Sequence, residues 1–353
     1  MEPNQPIFDV ILPVAPKDVA NLELCIQKIQ ENICPEKIVV IANKLVKDSI
    51  PFSCQVEFCD EDQLMKNLTM DQVKKIILDI TGSETRSNWY FQQFLKMAYA
   101  YQCPHDYYLV WDSDTIPLNN IRFWRDNNGE EQCLFSMYHH IHTPYFDTLN
   151  TLFNGKVKRL TKESFIVEHM MINRKIMREL IHDIEVNDQL HGTCFFEKIL
   201  HAIHINDISY AGFSEFETYG NYVLNYYPNA YAVRNLRTYR QGAMVIDYSQ
   251  INNHVLNWIA KDYDTISFEE HGYNRVFGFL RKKGAFFVRR RIISFKSYQY
   301  IFSVLENFAV LRHSQYSAFK KFVMFFKCFS GKQLKETVSK DCHPALDAGS
   351  PEK

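Results

Sequence analysis

Apolar residues along this chain follow two alternating rhythms. The first is the short, uninterrupted run of a buried strand. Phe8 to Val14 is one, carried by Val10, Ile11, Leu12 and Val14 and closed by Pro13 and Pro16. Lys37 to Ala42, Gln55 to Phe58 and Asp106 to Trp111 are others, and Cys133 to Tyr138 and Ser164 to Ile172 read the same way. The second is the three-and-four spacing of an amphipathic helix. Asp18 can cap one that buries Leu22, Leu24, Cys25, Ile26 and Ile29. Asp71 to Ile80, Asn88 to Gln102, Arg174 to Ile184 and Phe195 to Ile203 follow, and helical spacing dominates from Tyr248 onward. The β-α-β-α-β order of the first part predicts a mostly parallel, doubly wound α/β sheet flanked by helices. Ligands of such sheets bind beyond the carboxyl ends of the strands, so the turns after Val14 and Trp111 are the places to look.

Composition narrows the class without changing that picture. Hydrophobic residues are 46% and charged residues 23% of 353, which supplies a core and excludes wholesale disorder. Gly and Pro, 12 each, exclude a collagen-like chain. The aromatic share of 14% offers surfaces for stacking on sugars or bases as well as core. The net charge of −1 conceals an uneven distribution. Residues 281–332 carry 12 Lys and Arg against one acid, Glu306, so the rest of the chain is acidic. A basic, aromatic, helical segment of this kind can lie on an anionic membrane surface. A plain helical cap is the bland reading, and nucleic acid is not the expected partner. No run reaches the length of a membrane span, and the first residues lack the basic and apolar regions of a signal peptide. The nine cysteines form no Cys-x-x-Cys pair and read as reduced thiols, so a cytoplasmic location is expected, with peripheral contact at the inner membrane face.

The chemistry is concentrated in three places. Asp112-Ser113-Asp114 follows the Asp106 to Trp111 run. Side chains two apart on a pleat point the same way, so both carboxylates can face one hard cation, Mn2+ or Mg2+. Such a cation offsets the charge of a departing diphosphate, with Asp114 placed at the reaction. As a bare motif this is also a polar turn, and Asp112 could alternatively be the nucleophile of a haloacid-dehalogenase-type phosphatase, whose first motif, Asp-x-Asp-x-Thr after a strand, is similar to Asp112-Ser113-Asp114-Thr115 here. That alternative wants an early strand and a later Gly-Asp, which the chain lacks. Second, Trp89, Gln93 and Lys96 share one helix face. A ring, an amide and an ammonium there suit a base, a ribose and a phosphate, although a solvated helix face looks the same. Third, Ser214 to Tyr222 holds Glu215 and Glu217 among aromatics, with Gly220 permitting a sharp turn. A carboxylate beside apolar surface can accept a proton from a sugar hydroxyl, and the sequence does not choose between the two. His139, His140 and His142 cluster, His254 sits in a helix, and Glu168-His169 lies in an apolar run. Histidines in such settings are more often structural.

With these motifs the chain, from about Phe8 to Arg240, resembles the GT-A (Rossmann-like) glycosyltransferases. In particular it is similar to a bacterial family of that fold with an Asp-x-Asp motif. The resemblance implies a nucleotide-diphosphate sugar as donor, transfer to a hydroxyl on a glycan or glycolipid acceptor of the cell surface, and a divalent metal on Asp112 and Asp114. It implies a donor pocket at Pro13 and Val14 with Trp89, Gln93, Lys96, Asp112 and Ser113, and an acceptor half that includes His169 and Tyr219. The chain is expected to divide into a catalytic domain over 1–245, with a donor half to about 120 and an acceptor half over about 121–245, and, from the residue pattern beyond it, a basic helical segment over 246–335 and a disordered tail over 336–353. A non-catalytic sugar-nucleotide-binding protein on the same fold is the remaining alternative.

Overall fold

The computed structural model describes residues 6–50, 53–127, 130–139, 141–269, 294–300 and 304. The basic segment is described only at 294–300 and 304; the rest of it, the tail and His140 lie outside the described residues. The expected rhythm is present. Strand β1 (Phe8–Val14) leads through helix α1 (Val19–Asn32) to β2 (Ile38–Ala42) and β3 (Val56–Asp60). Helices α2 (Met70–Thr81) and α3 (Ser87–Ala98) precede β4 (Tyr107–Trp111). Next come β5 (Thr115–Pro117), β6 (Trp124–Asn127), β7 (Glu130–Ser136) and α4 (Thr143–Leu152). The chain then forms β8 (His169–Asn173), α5 (Arg174–Glu185), α6 (Phe195–Ala202), α7 (Ile205–Ile208), α8 (Glu215–Tyr226), β9 (Tyr231–Arg234) and β10 (Thr238–Tyr239). A helical turn α9 (Gly242–Val245), α10 (Asn253–Ile259) and β11 (Thr265–Ser267) complete the series.

The central sheet has the order β3-β2-β1-β4-β8. The first four strands are parallel, and β8 runs antiparallel to β4, with Trp111 opposite His169. Every residue of β1 and β2 is buried, which explains why both read as continuous apolar runs rather than alternating ones. On α1, Leu22, Cys25, Ile26 and Ile29 form the buried stripe. Thr69 accepts from Gln72 N–H to cap α2, and Gly82 ends that helix at φ 74°, a left-handed position suited to glycine. The run Ser164 to Ile172 becomes a strand only from His169; Ser164 instead forms a single bridge to Tyr138. Among the described residues no helix is long and apolar enough to cross a membrane.

The chain divides into two compact units, one of residues up to Gly242 plus Tyr263–Glu269, the other including Ala243–Asp262 and the described part of 294–304. The first break, after Gly242, falls close to the expected boundary at 245, and the return of 263–269 to the first unit was not expected. Residues 263–269 return to the first unit, where β11 pairs antiparallel with β5 and parallel with β10. In the second unit, Trp258 of α10 packs edge-on against Phe295 and lies beside Tyr298.

Candidate functional site

The site lies where the parallel strands end. β4 is buried along Tyr108 to Trp111, and the chain turns immediately after it: Thr115 N–H donates to Asp112 O at 3.0 Å. Asp112 and Asp114 therefore stand in a turn and not on a pleat, which corrects the alternation argument for their common direction. The turn is braced from several sides. Trp111 Nε1–H donates to Thr115 O (2.7 Å), and Asp112 N–H donates to Glu168 O (2.9 Å). The Thr115 hydroxyl lies 2.7 Å from that of Ser267, and Phe268 N–H donates to Asp114 O at 2.9 Å. Ser113 is buried within it.

Lys96 ties this turn to a distant helix. Its Nζ lies 2.9 Å from Asp112 Oδ1 and 2.9 Å from Glu215 Oε1, with the lysine side chain 7% exposed. The ammonium also sits 4.7 Å from the centre of the Phe216 ring. Burial works against its charge, but the Asp112 and Glu215 carboxylates outweigh burial and hold its pKa above the usual lysine value. Gln93, one turn earlier on α3, accepts from Glu215 N–H at 3.1 Å and so fixes the start of α8. Burial, with the nearby carboxylates of Asp112, Glu269 and Asp18, pushes Asp114 up to about 7. Glu168 is likewise pushed up to about 7, by burial first, against the opposing pull of Arg240. Arg240 ion-pairs Glu168 through Nε (2.6 Å) and Glu269 through Nη2 (2.9 Å). The surroundings of the turn are thus strongly acidic, held by two buried or half-buried cations.

The two glutamates of the third motif separate. Ser214 caps α8, its hydroxyl accepting from Glu217 N–H at 3.2 Å, the Ser-x-x-Glu pattern of a helix start. Glu217 Oε2 accepts from Ser164 Oγ (2.7 Å) and Phe165 N–H (3.0 Å), and Oε1 accepts from Asn221 Nδ2 (3.0 Å). Both oxygens are engaged and the residue is buried, so Glu217 is an internal anchor and not a free base. Glu215 gives Oε1 to Lys96; Oε2 has no hydrogen bond among the described residues. Gly220 makes no turn. It lies inside α8 against the Phe165 ring, where a Cβ would collide.

The two residues expected to bind acceptor are core residues. His169 is buried, stacked on Trp111 at 4.8 Å, with Nε2 accepting from Arg234 Nη2 at 3.0 Å. An arginine only donates, so the ring proton is on Nδ1, which has no partner among the described residues. Burial, then Arg234, depresses the pKa of His169 well below the usual histidine value. Tyr219 is fully buried; its hydroxyl accepts from Asn173 N–H and pairs with that of Tyr231. Pro13 and Val14 do end β1, and Pro13 O accepts from Gln92 Nε2 at 3.3 Å. Trp89 packs instead beside Tyr145, away from Lys96 by nearly two helical turns. Gln92, Arg240 and Glu269 were not legible as site residues. Arg240 and Glu269 are far from Asp112 in sequence and belong to no motif, and the Trp89 helix face excludes Gln92.

Among the described residues no three His, Cys, Asp or Glu side chains are grouped so as to hold a metal ion. Two carboxylates do suffice chemically for a cation that takes its other ligands from phosphate and water. Burial first, then the carboxylates of Asp112 and Glu269, disfavours the charge on Asp114, and a cation bound there would favour it. The residues therefore fit Mn2+ or Mg2+.

No curated protein matches this chain. Among solved structures it is similar to the apo structure of WbbM, described as a bifunctional glycosyltransferase, at 14% identity and a TM-score of 0.40 over 77% of this chain. The chain spans about half, 47%, of that one. It is also similar to the galactosyltransferase LgtC in complex with donor and acceptor sugar analogues (8% identity, TM-score 0.37, 80% of this chain and 94% of that one). An active-site mutant of LgtC gives 11% identity and a TM-score of 0.38, with the same shares of each chain. The sequence profile described as "Family of unknown function (DUF6492)" matches residues 6–288, and the chain belongs to that family.

Proposed function

We propose that the protein is a glycosyltransferase that moves a sugar from a nucleotide-diphosphate sugar to a hydroxyl of a glycan or glycolipid acceptor. The observation that carries this reading is the Lys96 bridge. It brings the two-carboxylate turn at the end of a central parallel strand to Glu215, a carboxylate with one oxygen unengaged among the described residues. Asp112 and Asp114 would hold Mn2+ or Mg2+, which when bound offsets the negative charge of the diphosphate leaving group. Glu215 accepts the proton of the acceptor hydroxyl in an inverting reaction; Lys96 keeps its carboxylate in place, and Gln93 holds the backbone that carries it. Residues 281–332 are the proposed contact with the inner membrane face.

A thermal-shift screen of UDP-, GDP-, CMP- and TDP-sugars with and without Mn2+ tests the reading. A ligand at a hundred times its Kd stabilises the folded state by about 2.7 kcal/mol. A metal-dependent rise with one nucleotide, abolished in Asp112→Ala, is expected. Glu215→Gln should keep that rise and lose turnover. No rise with any nucleotide overturns the proposal, and phosphate release from a monoester by the wild type would point to Asp112 as a phosphatase nucleophile.

A further inference from the structure

The face of α3 that reaches the reaction centre through Lys96 continues away from it, and what it meets there is aromatic. Trp89 lies seven residues before Lys96, about 10 Å along the axis at 1.5 Å per residue. That is the reach of a short oligosaccharide rather than of one ring. Trp89 stacks with Tyr145 at 6.5 Å and 21°. Tyr145 is buried. Burial first, then the charge of Glu215, raises its pKa, so this ring feels the candidate base. The His142 ring stands edge-on to Tyr145 at 4.5 Å and is 5.7 Å from Tyr210, while His142 Nε2–H donates to Ala211 O. Tyr210 is 51% exposed. The rings form a cluster whose inner member, Tyr145, is buried and whose outer members, half-buried Trp89 and exposed Tyr210, make a shelf at the surface.

Arg86 closes the outer end. Its guanidinium lies 5.7 Å from the Trp89 ring centre and 5.9 Å from that of Tyr210, and it makes no ion pair among the described residues. Contact with two rings restrains it, while its donors stay in solvent. Its backbone is in the left-handed region, φ 70°, which a residue with a side chain adopts only against strain. Strain of this kind concentrates at binding sites. A restrained guanidinium with no ion-pair partner among the described residues is suited to a carboxylate or phosphate, which it can bind through two parallel hydrogen bonds. The rings beside it offer the apolar faces on which sugar rings pack.

We propose that this shelf is the acceptor subsite, and that it takes an acidic glycan whose carboxylate or phosphate is bound by Arg86 while its rings lie on Tyr210 and Trp89. The proposal rests on the transferase reading for its name as an acceptor site, but its test needs no donor. The full chain is applied to an array of immobilised oligosaccharides bearing uronate, sialate or phosphate groups, alongside neutral ones. Retention of acidic members over neutral ones, weakened by salt, is expected, and the chemical class retained identifies the anion. Arg86→Asn removes the charge, and asparagine tolerates the left-handed backbone. It should weaken retention by about tenfold or more, with Arg86→Lys recovering part of the loss. Tyr210→Ala, at an exposed ring, should weaken it as well. Equal retention of neutral glycans, no retention at all, or undiminished retention by Arg86→Asn overturns the proposal. If a nucleotide sugar shifts the melting temperature but no acidic glycan is retained, only this inference falls. If acidic glycans are retained and no nucleotide sugar binds, the shelf stands and the transferase reading falls.

Discussion

Lys96 donates to carboxylates from two elements at once, so its removal leaves Glu215 buried with no opposite charge. Breaking a buried pair from one side typically costs about 3–5 kcal/mol. The Asp112 side chain is 31% exposed, so water takes up part of that arm, and Glu215 at 6% carries most of the cost. Lys96→Met is expected to lose about 3 kcal/mol by chemical denaturation, and Glu215→Gln in the same chain should recover much of it. Losses that simply add, with no coupling between the two sites, would remove the bridge from the account. At this scale the sequence was partly legible. Lys96 and Gln93 were readable because helical spacing puts them on one face, and Asp112 and Asp114 because a strand leads into them. Their purposes were less readable. Lys96 was expected at a phosphate, yet it is satisfied by carboxylates from the protein itself. Glu215 and Glu217 look alike as letters, and only the meeting of Glu217 with Ser164 and Phe165 separates them. The partners that hold His169 and Tyr219 in the core, Arg234 and Tyr231, come from a strand that neither motif includes.

The elements themselves were readable wherever local pattern decides them. The runs that became β1, β2 and β4 are apolar on both faces because a parallel strand in the middle of a sheet is covered on both sides. Short strands such as β5, β10 and β11 were not readable, since their pairing is between segments far apart and leaves no local period. Helix α8 shows why a glycine needs its surroundings. By intrinsic preference, Gly220→Ala should stabilise a helix interior by about 1 kcal/mol. A methyl group there meets the Phe165 ring, and overpacking typically costs about 1–3 kcal/mol. The expected result is a net loss of up to about 2 kcal/mol in denaturant melts, relieved in part by Phe165→Leu. A stabilised Gly220→Ala would show that α8 does not approach Phe165 as described.

Across the whole molecule, the acidic neighbourhood of the turn shapes how stability varies with pH. Asp114 and Glu168, both pushed up to about 7 from ordinary values of 3.8 and 4.5, hold protons in the folded chain that the unfolded chain has already released. Their stabilisation is therefore complete below about pH 4 and is lost as pH rises through 7. His169 works the other way. Its depressed pKa keeps it neutral when folded, so stability is lost as pH falls through the unfolded value near 6.5. With two groups against one, the metal-free protein should lose on the order of 1–3 kcal/mol between pH 5 and 8, measured by chemical denaturation. In Asp114→Asn/Glu168→Gln the falling limb should vanish and stability should instead rise over pH 5 to 7. A double variant that keeps the wild-type slope would remove both carboxylates as its source. The return of β11 to the first unit has a different consequence, for the order in which the protein is made. The Thr115 and Ser267 hydroxyls that meet behind the Asp-x-Asp turn are 152 residues apart, and Phe268 follows. On the ribosome the five strands of the central sheet are complete once Asn173 has emerged, long before Ser267 is synthesised. A nascent chain can thus own a folded sheet and an unbraced turn for much of its synthesis, and the brace closes only when the polypeptide loops back to where it began.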